Sequence, residues 1–195
     1  MRGHSLIEML VVLALMSMFL LISTGPINGM QRQIDFDQFA EEVVQLLQTC
    51  RWKAMNAHSY AGAVVHYTNN LYSLSLYMDG NYNGIRLAEI QRGIDYSFRG
   101  SFPLNRASGD IQPAILNSTI PEIPPRTGFL EEADPIKFGR SNIISFSPKG
   151  DSSTGSLYLA CRSQQQMYSI VLYGPTARIK VWKLSNGKWQ MVGDR

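Results

Sequence analysis

The sequence carries little charge, few cysteines and no side-chain arrangement typical of a catalytic or metal site. Asp, Glu, Lys and Arg make up 17% of 195 residues, and the formal charge is only +3. A charge this small does not by itself indicate nucleic-acid binding. The three histidines lack metal-ligand spacing, no glycine-rich phosphate loop is present, and no internal repeat is visible. We therefore expect no cofactor, no metal and no enzymatic activity.

Two short motifs match functional sites only in part. Asp79–Gly84 matches the first half of an EF-hand loop, but Ile90 occupies the position where a bidentate Glu is needed. We expect a turn rich in Gly and Asn there. Gly150–Ser152 matches the Gly-Asp-Ser of serine proteases, yet no histidine lies in a context that suggests a base.

The two cysteines, Cys50 and Cys161, leave two alternatives open. Cys50 falls in a helical pattern, and Cys161 lies near the end of a strand pattern. An exported domain with an even number of cysteines can form a disulfide. Two buried free thiols are the alternative, because isolated cysteines in apolar surroundings usually stay reduced.

A long apolar run follows the first few residues. From Ser5 to Thr24 the only ionisable side chain is Glu8. About 20 apolar residues in a helix span a bilayer core of ~30 Å. A secretory signal peptide cut near Gly25 and a signal anchor oriented by Arg2 are two interpretations. Neither explains Glu8, and an acid is costly in lipid unless it has a function.

The start of the run resembles the processing site of type IV pilins and type II secretion pseudopilins. Gly3 precedes a cleavable bond, and Glu8 is the fifth residue beyond it. His4 stands where the family usually has Phe, and the leader Met1–Gly3 is short, so an upstream start stays open. The resemblance implies that prepilin peptidase cuts between Gly3 and His4 and methylates His4. It also implies that Glu8 pairs with the terminal amine of a neighbouring subunit.

Beyond the run, the pattern predicts more helix. Gly25–Gly29 contains Pro26 and is expected to kink or locally melt the helix. Helical spacing then resumes and predicts an amphipathic helix that ends near His58. Its apolar stripe consists of Phe36, Phe39, Val43, Leu46, Leu47, Cys50, Ala54 and Ala57.

After Tyr60 the period changes to two, which predicts short antiparallel strands and an α+β fold. A turn at Asn69–Asn70 should join the first two strands. Between Gly100 and Gly139 lie six of the nine prolines and little periodicity, so we expect a surface insertion at about 100–140. Strands are expected at 63–67, 72–77, 94–98, 143–146, 156–161, 168–172, 177–182 and 188–192.

The order of these elements resembles one particular family of pilin-like proteins. Cys50–Ala54 in the helix, the hairpin that ends at Asp79–Gly84, Ile144–Gly150 and a closing basic strand resemble the GspH/FimT family of minor pseudopilins and their pilus relatives. The likeness covers the chain except for about 100–140. It implies a leader (1–3), a transmembrane helix (4–24), a kinked amphipathic continuation (25–58) and a β-rich periplasmic domain (59–195), anchored in the inner membrane.

The resemblance implies a structural subunit of a pseudopilus that drives type II protein secretion. Its partners would be other pilins or pseudopilins, which contact it through the N-terminal helix, together with prepilin peptidase and the inner-membrane assembly platform. The alternatives are a type IV pilus minor pilin that acts in pilus assembly or DNA uptake, and a soluble periplasmic protein with a signal peptide.

Cations cluster in the closing strand. Arg178 and Lys180 alternate with apolar residues and so fall on one face, and Lys183 follows. Ala177–Lys180 resembles the Gly-Arg-x-Arg element of the family, where some pilus-type members contact DNA. Weak, salt-sensitive DNA binding by Arg178, Lys180 and Lys183 is one interpretation. A solvated sheet edge is the favoured one.

Overall fold

The computed structural model describes residues 5–195, apart from the side chains of 20–28 and 108. The chain forms two compact units, one up to Gln38 and one from Phe39 to Arg195. The predicted α+β order, a long N-terminal helix followed by antiparallel strands, is confirmed. In chain order the elements are α1 (Leu6–Ala57), β1 (Ala61–Thr68), β2 (Leu71–Met78), α2 (Leu87–Gln91), β3 (Tyr96–Pro103), β4 (Ile111–Pro113), β5 (Ile136–Lys137), β6 (Ile143–Phe146), β7 (Gly155–Cys161), β8 (Gln166–Tyr173), β9 (Arg178–Ser185) and β10 (Lys188–Asp194).

The helix α1 has about the predicted length, but it is more continuous than the sequence predicts. It remains helical through 25–29, so the predicted local melting at Gly25–Gly29 is wrong, and the kink stays a prediction. Proline removes a single intrahelical hydrogen bond, and the turns before and after it keep theirs. The predicted transmembrane segment, 4–24, includes His4, which lies outside the described residues.

Among the described residues, no helix contains a stretch that is both long and apolar enough to cross a membrane.

The apolar stripe of the second half of α1 is confirmed from Phe36 to Ala54, where its members are at most 3% exposed. Ala57 is exposed because the helix ends there. His58 follows with a left-handed φ of 51°. The amide of Ser59 donates to the carbonyl of Ala54 at 3.3 Å, which is the long hydrogen bond of a Schellman cap.

The first sheet has four strands in the order β3-β2-β1-β6. Thr68 of β1 pairs with Leu71 of β2, and Asn69 and Asn70 connect them. Both asparagines have positive φ, 53° and 62°. A two-residue turn of type I′ needs this conformation, and asparagine tolerates it better than most residues. The predicted hairpin is therefore confirmed.

The second sheet contains the C-terminal strands in the order β10-β9-β8-β7-β4, and β5 also pairs with β7. The strands predicted at 156–161, 168–172, 177–182 and 188–192 correspond to β7 to β10. The basic strand, β9, lies between β8 and β10. Its predicted position at the sheet edge is therefore wrong, and β10 forms that edge.

The segment 100–140 is not a surface insertion, contrary to the prediction. It packs on one face of the second sheet and contributes half of a hydrophobic core there. The indole Nε1 of Trp189 donates to the carbonyl of Pro121 at 2.7 Å, and the Leu130 amide donates to the Ile120 carbonyl at 2.9 Å. The buried apolar residues of segment 100–140 do not follow one another along a regular helix or strand. Their spacing in the sequence therefore shows no period. The core comprises Ile115, Ile120, Ile123, Leu130, Tyr158, Ala160, Met167 and Trp189.

A buried carboxylate organises the turn after β2. Asp79 is 4% exposed. Its Oδ1 accepts hydrogen bonds from the amides of Asn81 and Tyr82, both at 2.9 Å, and its Oδ2 accepts one from the Gly84 amide at 2.6 Å. Backbone donors therefore occupy the carboxylate, and the prediction of a turn at Asp79–Gly84 is confirmed.

Replacement of Asp79 by alanine should destabilise the domain. The change removes the buried acceptor of three backbone amides, so we expect the free energy of unfolding to fall by about 3 kcal/mol. Urea unfolding followed by tryptophan fluorescence measures the loss. The matched control is Asp134→Ala, which removes an equal charge from an exposed position and should change stability by less than about 0.5 kcal/mol. Equal effects of both variants would contradict the structural role of Asp79.

Candidate functional site

Glu8 lies in the first turn of α1. The amides of Glu8 and Met9 donate to the carbonyl of Ser5 at 3.0 and 3.3 Å, so Glu8 is the third helical residue. A carboxylate at this position interacts favourably with the helix dipole. Ser5 and Glu8 also have the spacing of a capping box, a pattern that sequence reasoning did not use. Gly3 and His4, the predicted cleavage and methylation residues, lie outside the described residues.

The helix surface around Glu8 is apolar. The large apolar side chains from Leu6 to Phe19 are 47–80% exposed on this chain. A continuous apolar surface of this kind marks contact with a membrane or with other proteins. The start of α1 therefore combines a carboxylate with an apolar surface that needs to be covered from outside the chain.

The two cysteines do not form a disulfide in the structure. Both are free and fully buried. Burial raises the pKa of the Cys50 thiol above its usual range, and Arg99 lowers it by a smaller amount. The Sγ of Cys161, at the end of β7, lies 3.6 Å from the Oδ2 of Asp110 and 3.6 Å from the Oγ of Ser163. Of the two alternatives that the sequence leaves open, the structure shows two buried free thiols.

The three predicted DNA-contacting cations do not share one face. Arg178 and Lys180 project from the same face of β9, whereas Lys183 lies on the opposite face, because side chains alternate along a strand. The Lys183 ammonium lies over the Tyr168 ring, 5.2 Å from its centre. Arg178 Nε donates to Asp194 Oδ1 at 2.5 Å. The predicted cluster is therefore reduced to two residues, one of which already has an anionic partner.

Arg178 and Lys180 line a cavity of about 480 Å³ that sequence reasoning did not find. One wall is the segment 122–126 and the other consists of β7, β8 and β9. Arg126 adds a third cation, and Trp182 adds an aromatic surface. These residues come from two distant segments, 52 positions or more apart in sequence, so no local motif could reveal them.

Two residues that line the cavity, Glu122 and Tyr158, carry polar groups that are buried behind its surface. Glu122 Oε1 lies 3.3 Å from Lys137 Nζ, while Glu122 Oε2 is buried and has no hydrogen-bond partner among the described residues. Burial raises the pKa of the Tyr158 phenol, and the nearby Glu122 carboxylate adds to the rise. The Tyr158 side chain is fully buried and belongs to the core on this face of the sheet.

Comparison with known proteins concerns the N-terminal segment. Residues 1–24 match the family model of the prokaryotic N-terminal methylation motif. No curated protein and no solved structure matches the chain. The chain therefore carries a type IV pilin-like prepilin signal, as predicted. Such a signal implies processing by prepilin peptidase and assembly with other pilins in general, and it is consistent with membrane anchoring.

Both thiols should resist alkylation in the native protein. Only a thiolate reacts, and the raised pKa and full burial of Cys50 keep it protonated and shielded. We expect iodoacetamide at about pH 8 to modify neither cysteine before unfolding and both after unfolding in urea, without added reductant. Intact-mass spectrometry counts the adducts. Adducts that form on the unfolded chain only after reduction would contradict the structure and demonstrate a Cys50–Cys161 bridge.

Proposed function

We propose that the chain is a minor pseudopilin of the GspH/FimT type, a structural subunit of a periplasmic pseudopilus that drives type II protein secretion. The observation that carries the proposal is the methylation motif at residues 1–24, which leads directly into α1 and then into an antiparallel β domain. The role is mechanical, and no catalytic step is assigned to the chain.

The methylation motif also implies how the chain is processed and where it is located. Prepilin peptidase removes Met1–Gly3 and methylates His4, and the apolar start of α1 is kept. The inner membrane holds this segment before assembly, and the β domain faces the periplasm. After assembly, the helices of neighbouring subunits cover the side chains from Leu6 to Phe19 that are exposed on the single chain.

Glu8 fixes the position of each subunit along the filament. In an apolar helix bundle, an unpaired carboxylate or ammonium costs several kcal/mol, so the two groups are most stable when they meet. The terminal amine that cleavage exposes on one subunit would pair with the carboxylate of another. This pairing would act between chains, whereas a capping box of Ser5 and Glu8 would act within one helix.

Two substitutions of Glu8 separate these roles. Glu8→Ala removes both the charge and any capping by this side chain, whereas Glu8→Gln keeps a group that can cap the helix and removes only the charge. We expect both variants to enter filaments at least about tenfold less than the native chain, since the charge pair is worth more than one factor of ten. Incorporation is measured by immunoblot of sheared or cross-linked filaments, with equal membrane levels as the control.

Normal incorporation of Glu8→Gln, with loss only for Glu8→Ala, would contradict the charge pair and leave the cap as the role of Glu8. The choice of machine needs a separate experiment. Deletion of the chain should retain type II secretion cargo in the periplasm and leave pilus-dependent motility intact. The opposite result would assign the chain to a type IV pilus.

A further inference from the structure

We infer that the cavity between segment 122–126 and strands β7, β8 and β9 binds the acidic loop 129–134 of a second copy of this chain. The loop reads Phe-Leu-Glu-Glu-Ala-Asp. The ring of Phe129 would enter the cavity, and the carboxylates would lie beside Arg126 and Lys180. This contact belongs to the β domain, so it does not depend on which machine the chain serves.

The cavity has positive charge that its own chain leaves unpaired. Of the four charged residues that line it, Glu122 and Arg178 already have partners of opposite charge. The other two are Arg126, which is exposed, and Lys180, which is half-buried. Neither forms an ion pair with another described residue. A partner surface that brings carboxylates therefore complements the cavity.

The cavity also has an accessible apolar surface. Tyr173 is 53% exposed, and Val171 and Trp182 are half-buried. All three line the cavity from the strand side, while the exposed Pro124 and Pro125 line it from the other side. A volume of about 480 Å³ is enough for an aromatic side chain with its neighbours. An anionic segment that carries an aromatic residue therefore fits the cavity better than an anion alone.

The loop 129–134 has this composition. Phe129 is 67% exposed, so its ring is available to a partner. Three acids follow it, Glu131, Glu132 and Asp134, and all three are exposed. Glu131 and Asp134 form no ion pair with another described residue. The loop thus offers an aromatic ring and carboxylates, where the cavity offers an apolar surface and cations.

The loop is fixed at both ends and cannot complement the cavity of its own chain. The Leu130 amide donates to the Ile120 carbonyl at 2.9 Å, and the Tyr158 amide donates to the Pro135 carbonyl at 2.9 Å. None of residues 129–134 lines the cavity. A loop held in this way loses little conformational entropy on binding. Its complementary surface is therefore the cavity of another copy.

The test is the self-association of the full chain in density-matched detergent micelles, measured by sedimentation equilibrium. We expect the native chain to associate at micromolar concentrations. Raising sodium chloride from about 0.05 M to about 0.5 M should weaken association at least about tenfold, because salt screens the ion pairs. Association through the apolar start of α1 would not be screened in this way, so the salt dependence separates the two contacts.

Two charge reversals identify the contacting surfaces. Arg126→Glu in the cavity and Glu131→Lys in the loop should each weaken association at least about tenfold, because each brings like charges together. A mixture of the two variants should associate within about threefold of the native chain, since contacts between the two kinds of copy again join opposite charges. Arg92→Glu is the matched control: it makes the same charge change at an exposed site between α2 and β3 and should leave association unchanged.

Three results would overturn the proposal. The first is a native chain that stays monomeric throughout the micromolar range. The second is association that none of the variants changes, which would place the contact on α1. The third is a loss in only one of the two reversals, or no recovery in the mixture, which would assign the cavity to a different partner. Both substituted residues are exposed, and an unchanged circular dichroism spectrum verifies the fold of each variant.

Discussion

The structure depends on where the apolar side chains of α1 are buried. From Phe39 to Ala54 the apolar stripe is buried within the domain, whereas from Leu6 to Phe19 the apolar side chains are exposed on the single chain. Burial of one such side chain contributes about 1.5–3 kcal/mol. The first half of the helix therefore has a strong tendency to enter lipid or to pack with other helices. Glu8 adds a condition, because a carboxylate in either environment needs a partner of opposite charge or a hydrogen-bond donor.

The domain holds the second half of this helix through a few specific contacts. The Arg106 guanidinium pairs with Glu42 of α1 at 2.5 Å and lies over the rings of Phe39 and Phe102. The terminal Arg195 pairs with Glu41 of the same helix. These contacts tie the second half of α1 to both a loop and the C-terminal end of the chain.

Sequence reasoning located the elements whose signals are local. The stripe of α1 has a regular spacing, and Asn69–Asn70 is a strong two-residue turn signal, so both were predicted correctly. The segment 100–140 was not, because its isoleucines are buried one by one against the second sheet. The cavity shows the same limit. The alternation along β9 predicts that Arg178 and Lys180 share a face, but Arg126 and Glu122 reach the same cavity only through long-range folding. Lys183 lies on the other face of β9 because of its position in the strand.

We propose that the apolar start of α1 is kept in the finished protein. The most direct measurement is the intact mass of the protein extracted from membranes. We expect a chain that has lost only Met1–Gly3 and carries one methyl group on the amino terminus of His4. A mature chain that begins near Gly25, with the apolar segment removed, would contradict it and would leave Glu8 without any role in assembly.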